Sequence, residues 1–227
     1  MMPVTLRRSA EVEFVPEQRP ATRSEQRLFF LAIAFAVGVG LFVRAFYVLS
    51  QDFPLNDGGL FYVMVQELKQ AQYRLPVFSS YNFSEIPFGY SPLGFYLAAL
   101  LTDLTPLSLL DIFRWLPLAL TSATIVAFMF LARAILPSTM TVVAAVVAFA
   151  LIPRSFLWLL MGGGITRSLG FLFAILSLHQ MYLLYTQRQW RFALWATLFS
   201  GLTVLSHLGT APFLAFSIAL FFLFYGR

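Results

Sequence analysis

From Leu28 to Leu49 the chain runs for 22 residues with a single charged side chain, Arg44, and no proline. As an α-helix this run would be roughly 33 Å long at ~1.5 Å per residue, which matches the hydrocarbon core of a bilayer. A cleavable leader would have a shorter apolar core followed by small residues at a cleavage site. Here the run closes on Ala45-Phe46-Tyr47-Val48-Leu49, so it reads as a retained transmembrane helix.

Further apolar runs follow at Leu93–Leu104, Trp115–Leu136, Thr139–Leu160, Ile165–Tyr185, Trp190–His207 and Ala211–Phe224. Hydrophobic residues make up 59% of the 227-residue chain and charged residues 11%. A soluble domain has roughly 45–50% and about 25%, and could not hide this much apolar surface behind so few charges. The expectation is an all-α, polytopic integral membrane helical bundle with six or seven membrane-embedded segments. The net charge of +5 comes from scattered basic residues that mostly flank apolar runs, which argues against a nucleic-acid partner. With no cysteine, disulfides, thiolate metal sites and cysteine nucleophiles are excluded.

Residues 1–27 carry Arg7, Arg8, Arg19, Arg23 and Arg27, four glutamates and three prolines. This is a polar tail, and its arginines predict that it stays cytoplasmic. Residues 28–227 form the membrane module, with residues 50–92 as a long first outer loop. The last apolar run meets the chain end at Tyr225-Gly226-Arg227, which predicts that further helices or a distal domain belong beyond it. Leu93–Leu104, with 12 residues between prolines, is short for a span and reads as re-entrant or interfacial. If it does not cross, residues 152–166 and His207 share the outer face with the long loop. If it does cross, they lie on the opposite face, and the count of basic residues does not separate the two arrangements.

Within the loop, Asn56-Asp57-Gly58-Gly59 is a turn signature, and Asp57 is placed to cap the helix after it. That helix, about Leu60–Gln72, gathers Leu60, Phe61, Met64, Val65 and Leu68 on one side, the pattern of a helix lying in the membrane interface. The aromatic-rich stretch Tyr81–Pro92 fits either an interfacial aromatic belt or a wall for sugar rings or an isoprenoid chain. Asp52, Glu67 and Glu85 read as solvated, and Arg44 as close enough to its helix end to snorkel.

The order of these elements resembles the GT-C fold glycosyltransferases, among them protein O-mannosyltransferases, lipid A aminoarabinose transferases and the catalytic subunit of oligosaccharyltransferase. Asn56-Asp57 stands where that family often has an acidic pair, and Gly89-Tyr90-Ser91-Pro92-Leu93 where many members have Tyr-Pro-Pro-Leu. Pro153-Arg154-Ser155 and Thr166-Arg167-Ser168-Leu169-Gly170 resemble the second outer loop, and Ser206-His207-Leu208 a later one. The resemblance implies sugar transfer from a polyprenyl-phosphate-linked donor to a protein, lipid or glycan acceptor, on the outer face of a membrane, a bacterial cell membrane by preference. It implies Asp57 as the carboxylate at the acceptor hydroxyl, with Asn56, Tyr90, Arg154, Arg167 and His207 as substrate-binding residues. Only one carboxylate is present at the expected pair, and Met161-Gly162-Gly163-Gly164-Ile165-Thr166 holds no acid, so no metal or other cofactor is expected. The alternative is a non-enzymatic polytopic protein, a carrier or flippase component, with Gly162-Gly163-Gly164 as a helix break.

Overall fold

The computed structural model describes residues 23–52, 56–162 and 164–226. The tail residues 1–22 and Gly163 of the triple glycine, on which parts of the sequence reading rest, lie outside the described residues. The described residues form nine α-helices, three short 3-10 turns and one two-stranded hairpin. The α-helices are α1 (Arg23–Leu49), α2 (Gly58–Gln70), α3 (Leu93–Leu104), α4 (Leu109–Ile135), α5 (Thr139–Leu151), α6 (Leu157–Leu160), α7 (Gly164–Gln187), α8 (Trp190–Ser206) and α9 (Ala211–Tyr225). Between α2 and α3, β1 (Phe78–Ser79) pairs antiparallel with β2 (Ile86–Pro87).

Four helical segments are long and apolar enough to cross a membrane: Gln26–Leu49, Leu109–Ile135, Gly164–Gln187 and Leu208–Tyr225. A fifth span results if α5 and the segment Pro153–Leu160 are taken together, although the pair is bent by 77°. The large exposed side chains of these segments, such as Phe35, Phe42, Phe130, Phe216 and Phe224, are apolar, a surface suited to lipid rather than water.

Tertiary contacts fix the direction of each helix. Arg114, in the second turn of α4, donates to the carbonyls of Gln51 and Asp52 just past α1, at 3.1 Å each. At the other end, the Arg133 guanidinium near the end of α4 lies 5.3 Å from the Phe29 ring near the start of α1. So α1 and α4 are antiparallel. Helix α5 returns alongside α1, ending where Arg44 donates to the Ala150 carbonyl at 2.7 Å. Helices α7 and α8 form the most extensive pair in the bundle, and Tyr182 of α7 meets Tyr225 of α9 edge-to-face at 5.1 Å. The ends of α1, α5 and α8 and the starts of α4, α7 and α9 therefore share one end of the bundle, called here the loop end.

Helix α3 stays at that end. Its second residue, Gly94, lies against the Ile165 carbonyl at the start of α7, and α4 begins at the loop end after a link of four residues. Asp103, near its C-terminus, pairs with Lys69 of α2 at 2.6 Å and also accepts from Tyr73. Helices α2 and α3 are thus a packed pair laid over the ends of α4 and α7. Phe61, Met64, Val65 and Leu68 from α2 meet Phe95, Ala98 and Ala99 from α3, with Ile112, Phe113 and Ile165 beneath. Each large side chain buried in this cluster contributes about 1.5–3 kcal/mol relative to exposure in water.

Three local features differ from the sequence reading. The apolar run 139–160 breaks after Leu151, because Pro153 removes the N–H that would bond the Phe149 carbonyl. Helix α4 starts at Leu109, before the apolar run, because Ser108 and Asp111 form a reciprocal capping box. Arg44 does not snorkel: its side chain is fully buried among α1, α5 and the turn 153–155.

Candidate functional site

Asp57 occupies the N-cap position of α2, but its side chain makes no capping hydrogen bond. Its backbone carbonyl accepts from Phe61 at 3.0 Å, so the turn closes without the carboxylate. The carboxylate is turned across the loop end instead, where Oδ2 accepts from Arg167 Nη2 at 2.7 Å. Asn56, just before it, is exposed and takes a left-handed backbone with φ 62°, a conformation asparagine tolerates better than most residues. That turn lets the chain enter α2 with Asp57 facing α7.

Arg167 lies in the first turn of α7. Its guanidinium carbon stands 4.8 Å from the centre of the Trp158 ring of α6, a cation–π contact. The side chain is 14% exposed and that of Asp57 29%, so water screens the pair only partly. Arg167 Nη1 is buried and, among the described residues, has no hydrogen-bond partner. One edge of the fork is therefore committed to Asp57 and the other is not.

His207 ends α8 at the same end. Its Nδ1 is 2.8 Å from the Thr210 hydroxyl, and its ring lies against Gly209 of the same turn. Gly170, one turn after Arg167, makes room for it: a β-carbon there would lie 2.6 Å from His207 Cβ. A Gly170→Ala chain is expected to push His207 and the end of α8 off α7. The thermal midpoint in detergent should fall by about 3–8 °C, the equivalent of about 1–2 kcal/mol. An unchanged midpoint would contradict the contact.

Tyr90 packs edge-to-face on Phe61 at 4.8 Å and is 37% exposed, so its ring closes the α2–α3 cluster toward the surface. The next residue, Ser91, donates to the Val204 carbonyl of α8 at 2.8 Å, which brings the Tyr90-Ser91-Pro92 element beside His207. Arg154 shares the loop end but is exposed on the turn 153–155, in no described ion pair with Asp57. Asp57, Arg167, His207 and the Tyr90 element thus form one constellation, with Arg154 apart from it.

Two further residues join the site: Glu67, read from the sequence as solvated, and Tyr81, from the aromatic stretch Tyr81–Pro92. Glu67 is not simply solvated; its Oε1 accepts from the Ser80 amide at 2.8 Å and the Ser80 hydroxyl at 2.7 Å. Burial alone would raise its carboxyl, but the bonds from Ser80 and Ser79 outweigh this and hold it below the ordinary glutamate value. The clamp carries Tyr81 over the start of α2, where a β-carbon on Gly59 would lie 3.0 Å from the Tyr81 hydroxyl. The consecutive glycines after Asp57 and the aromatic stretch that begins at Tyr81 were the visible signals of this approach. Among the described residues, no group of three or more His, Asp or Glu side chains gathers to hold a metal ion. The constellation offers a carboxylate, a half-committed guanidinium, an imidazole and a tyrosine hydroxyl. These are groups suited to a hydroxyl on one side and an anion on the other. Comparisons with protein-family models, with curated proteins and with solved structures find no match for this chain.

Proposed function

We propose that the chain is a GT-C-like membrane glycosyltransferase that moves a sugar from a polyprenyl-phosphate-linked donor to an acceptor hydroxyl on the outer face of the membrane. The observation that carries this reading is the Asp57–Arg167 pair at 2.7 Å with Arg167 Nη1 uncommitted. In the reaction, the acceptor oxygen attacks the anomeric carbon and its proton passes to the Asp57 carboxylate. The bond from the anomeric carbon to the phosphate oxygen breaks, and the lipid phosphate leaves with the electron pair. The positive charge of Arg167 offsets the growing negative charge on the leaving phosphate, and the His207 imidazole is a further polar contact for it. Asn56, Tyr90 and Tyr81 border the sugar and acceptor, and Arg154 draws the donor's phosphate toward the loop end. Helix α2 lies in the membrane interface, and the tail before α1 is cytoplasmic.

The test is reconstitution in liposomes with synthetic polyprenyl-phosphate hexoses and pentoses, following release of the lipid phosphate. A donor that is consumed by the wild-type chain supports the reading. Binding of a donor without any turnover would favour a carrier instead, and neither binding nor turnover of any donor would sink the proposal. A single cysteine at Ser84 or Leu208, labelled from outside intact cells, reports which face the loop end occupies.

A further inference from the structure

Arg44 is the one cation fully buried among the described residues, and no carboxylate pairs with it. Its neighbours account for it through the broken end of α5. A helix leaves its last carbonyls without intrahelical donors, and a buried end must find others. The Ala148 carbonyl still accepts from Ile152 at 2.9 Å. The Phe149 carbonyl loses its donor because Pro153 has no N–H, and the Ser155 hydroxyl replaces it at 2.6 Å. The Ala150 carbonyl would take the Arg154 amide in a continuous helix, but the chain has turned away, and Arg44 Nη1 supplies the bond at 2.7 Å. The same nitrogen donates to Gly40 at 3.0 Å, Nη2 lies 3.4 Å from Ser155 Oγ, and the guanidinium stands 4.4 Å from the Phe156 ring. A cation at a helix C-terminus is favoured by the helix dipole, which here takes the place of a counter-ion.

We infer that Arg44 is a positioning residue for the loop-end site, acting through α6 and Trp158 on the Arg167 guanidinium. The path is continuous. Arg44 fixes the 77° break between α5 and the following segment by holding Ala150, Ser155 and Phe156 together. Phe156 is 1% exposed and its carbonyl accepts from Leu159 at 2.9 Å and Leu160 at 3.0 Å, so its position sets the short helix α6. That helix carries Trp158, whose ring faces Arg167 at 4.8 Å, and Arg167 holds Asp57 at 2.7 Å. Burying a guanidinium in a span is costly, and an apolar residue would pack α1 on α5 at less cost. What an apolar residue cannot do is bond two carbonyls and an aromatic face at once, and so fix where α6 points. The inference needs the Asp57–Arg167 pair but not the transfer reaction.

The test reads Trp158, half exposed at the bundle end, in a chain whose other tryptophans, Trp115, Trp190 and Trp195, are replaced by Phe. Arg44→Met is expected to free Trp158 from Arg167, with a shift of its emission maximum and a change in its fluorescence lifetime as the guanidinium leaves the ring. Arg167→Met should give the same change, and the two together no more than either alone. Arg44→Lys, which reaches the carbonyls but cannot also cover Phe156, should fall between the parent and Arg44→Met. A folded Arg44→Met chain with the parent Trp158 spectrum would overturn the inference. If Arg44→Met does not fold, a parent spectrum in Arg44→Lys overturns it equally. Because no donor is present, a failure here leaves the transfer reading standing, and a failure to turn over any donor leaves this one standing.

Discussion

Under the proposed transfer reaction, an Asp57→Asn chain is expected to stay folded and to lose about 10²–10⁴-fold in transfer rate from a lipid-linked sugar, the range for removing a positioned general base. The amide keeps the shape of the carboxylate, and its oxygen still accepts from Arg167, so the turn into α2 and the seat of α7 persist. Since both side chains are partly exposed, loss of the ion pair itself should cost about 1 kcal/mol or less. Arg167→Met differs in kind. It strips the cation from the Trp158 ring and leaves a half-buried carboxylate with no partner, so its thermal midpoint should fall further than that of Asp57→Asn. Combining the two removes the stranded charge, and the double variant should be more stable than the sum of the single losses predicts. Retention of wild-type transfer by Asp57→Asn would remove Asp57 from the chemistry, whatever the melting data show.

The contrast between Asp57 and its neighbours shows what can be read from a sequence like this one. The face of α2 is set by local periodicity, so Phe61, Met64, Val65 and Leu68 fall where their spacing puts them, buried against α3. Ser108 and Asp111 carry a legible cap as well, three residues apart, although the apolar run that draws attention starts only at Trp115. Asp57 sits in a helix-capping position by the same local rules, yet its side chain answers to Arg167, 110 residues away. Arg44 is similar: its place near the end of an apolar run suggests a route to the lipid headgroups, and only the broken end of α5, 106 residues on, explains its burial. Pro153 was visible, but an unbroken apolar composition on both sides hid the bend it makes. Local order is written in spacing, while the partners of buried charges are decided by which helix ends meet.

The close approach of α3 to α7 gives the largest expected effect on the fold. A β-carbon at Gly94 would lie 2.7 Å from the Ile165 carbonyl oxygen, 3.0 Å from its carbon and 3.1 Å from Thr166 Cγ2. The first two of these atoms are backbone at the start of α7, so no rotamer change can relieve the overlap. Gly94→Val should therefore lift α3 away from α7 and open the cluster in which Phe95, Ala98 and Ala99 are fully buried. The loss should be about 3 kcal/mol or more, seen as a fall of about 6–12 °C in the thermal midpoint in detergent. Gly94→Ala should move the midpoint in the same direction by less. The consequence for the site follows from the same contact, since Ser91 precedes α3 and holds the end of α8 through the Val204 carbonyl. Moving α3 separates the Tyr90 element from His207 and shifts Arg167, which follows Ile165 by two residues on α7. Transfer should fall in Gly94→Val below the temperature at which the chain melts, because the constellation comes apart before the bundle does. A Gly94→Val chain that melts with the parent would mean that α3 does not rest on α7, and the loop end would have to be built another way.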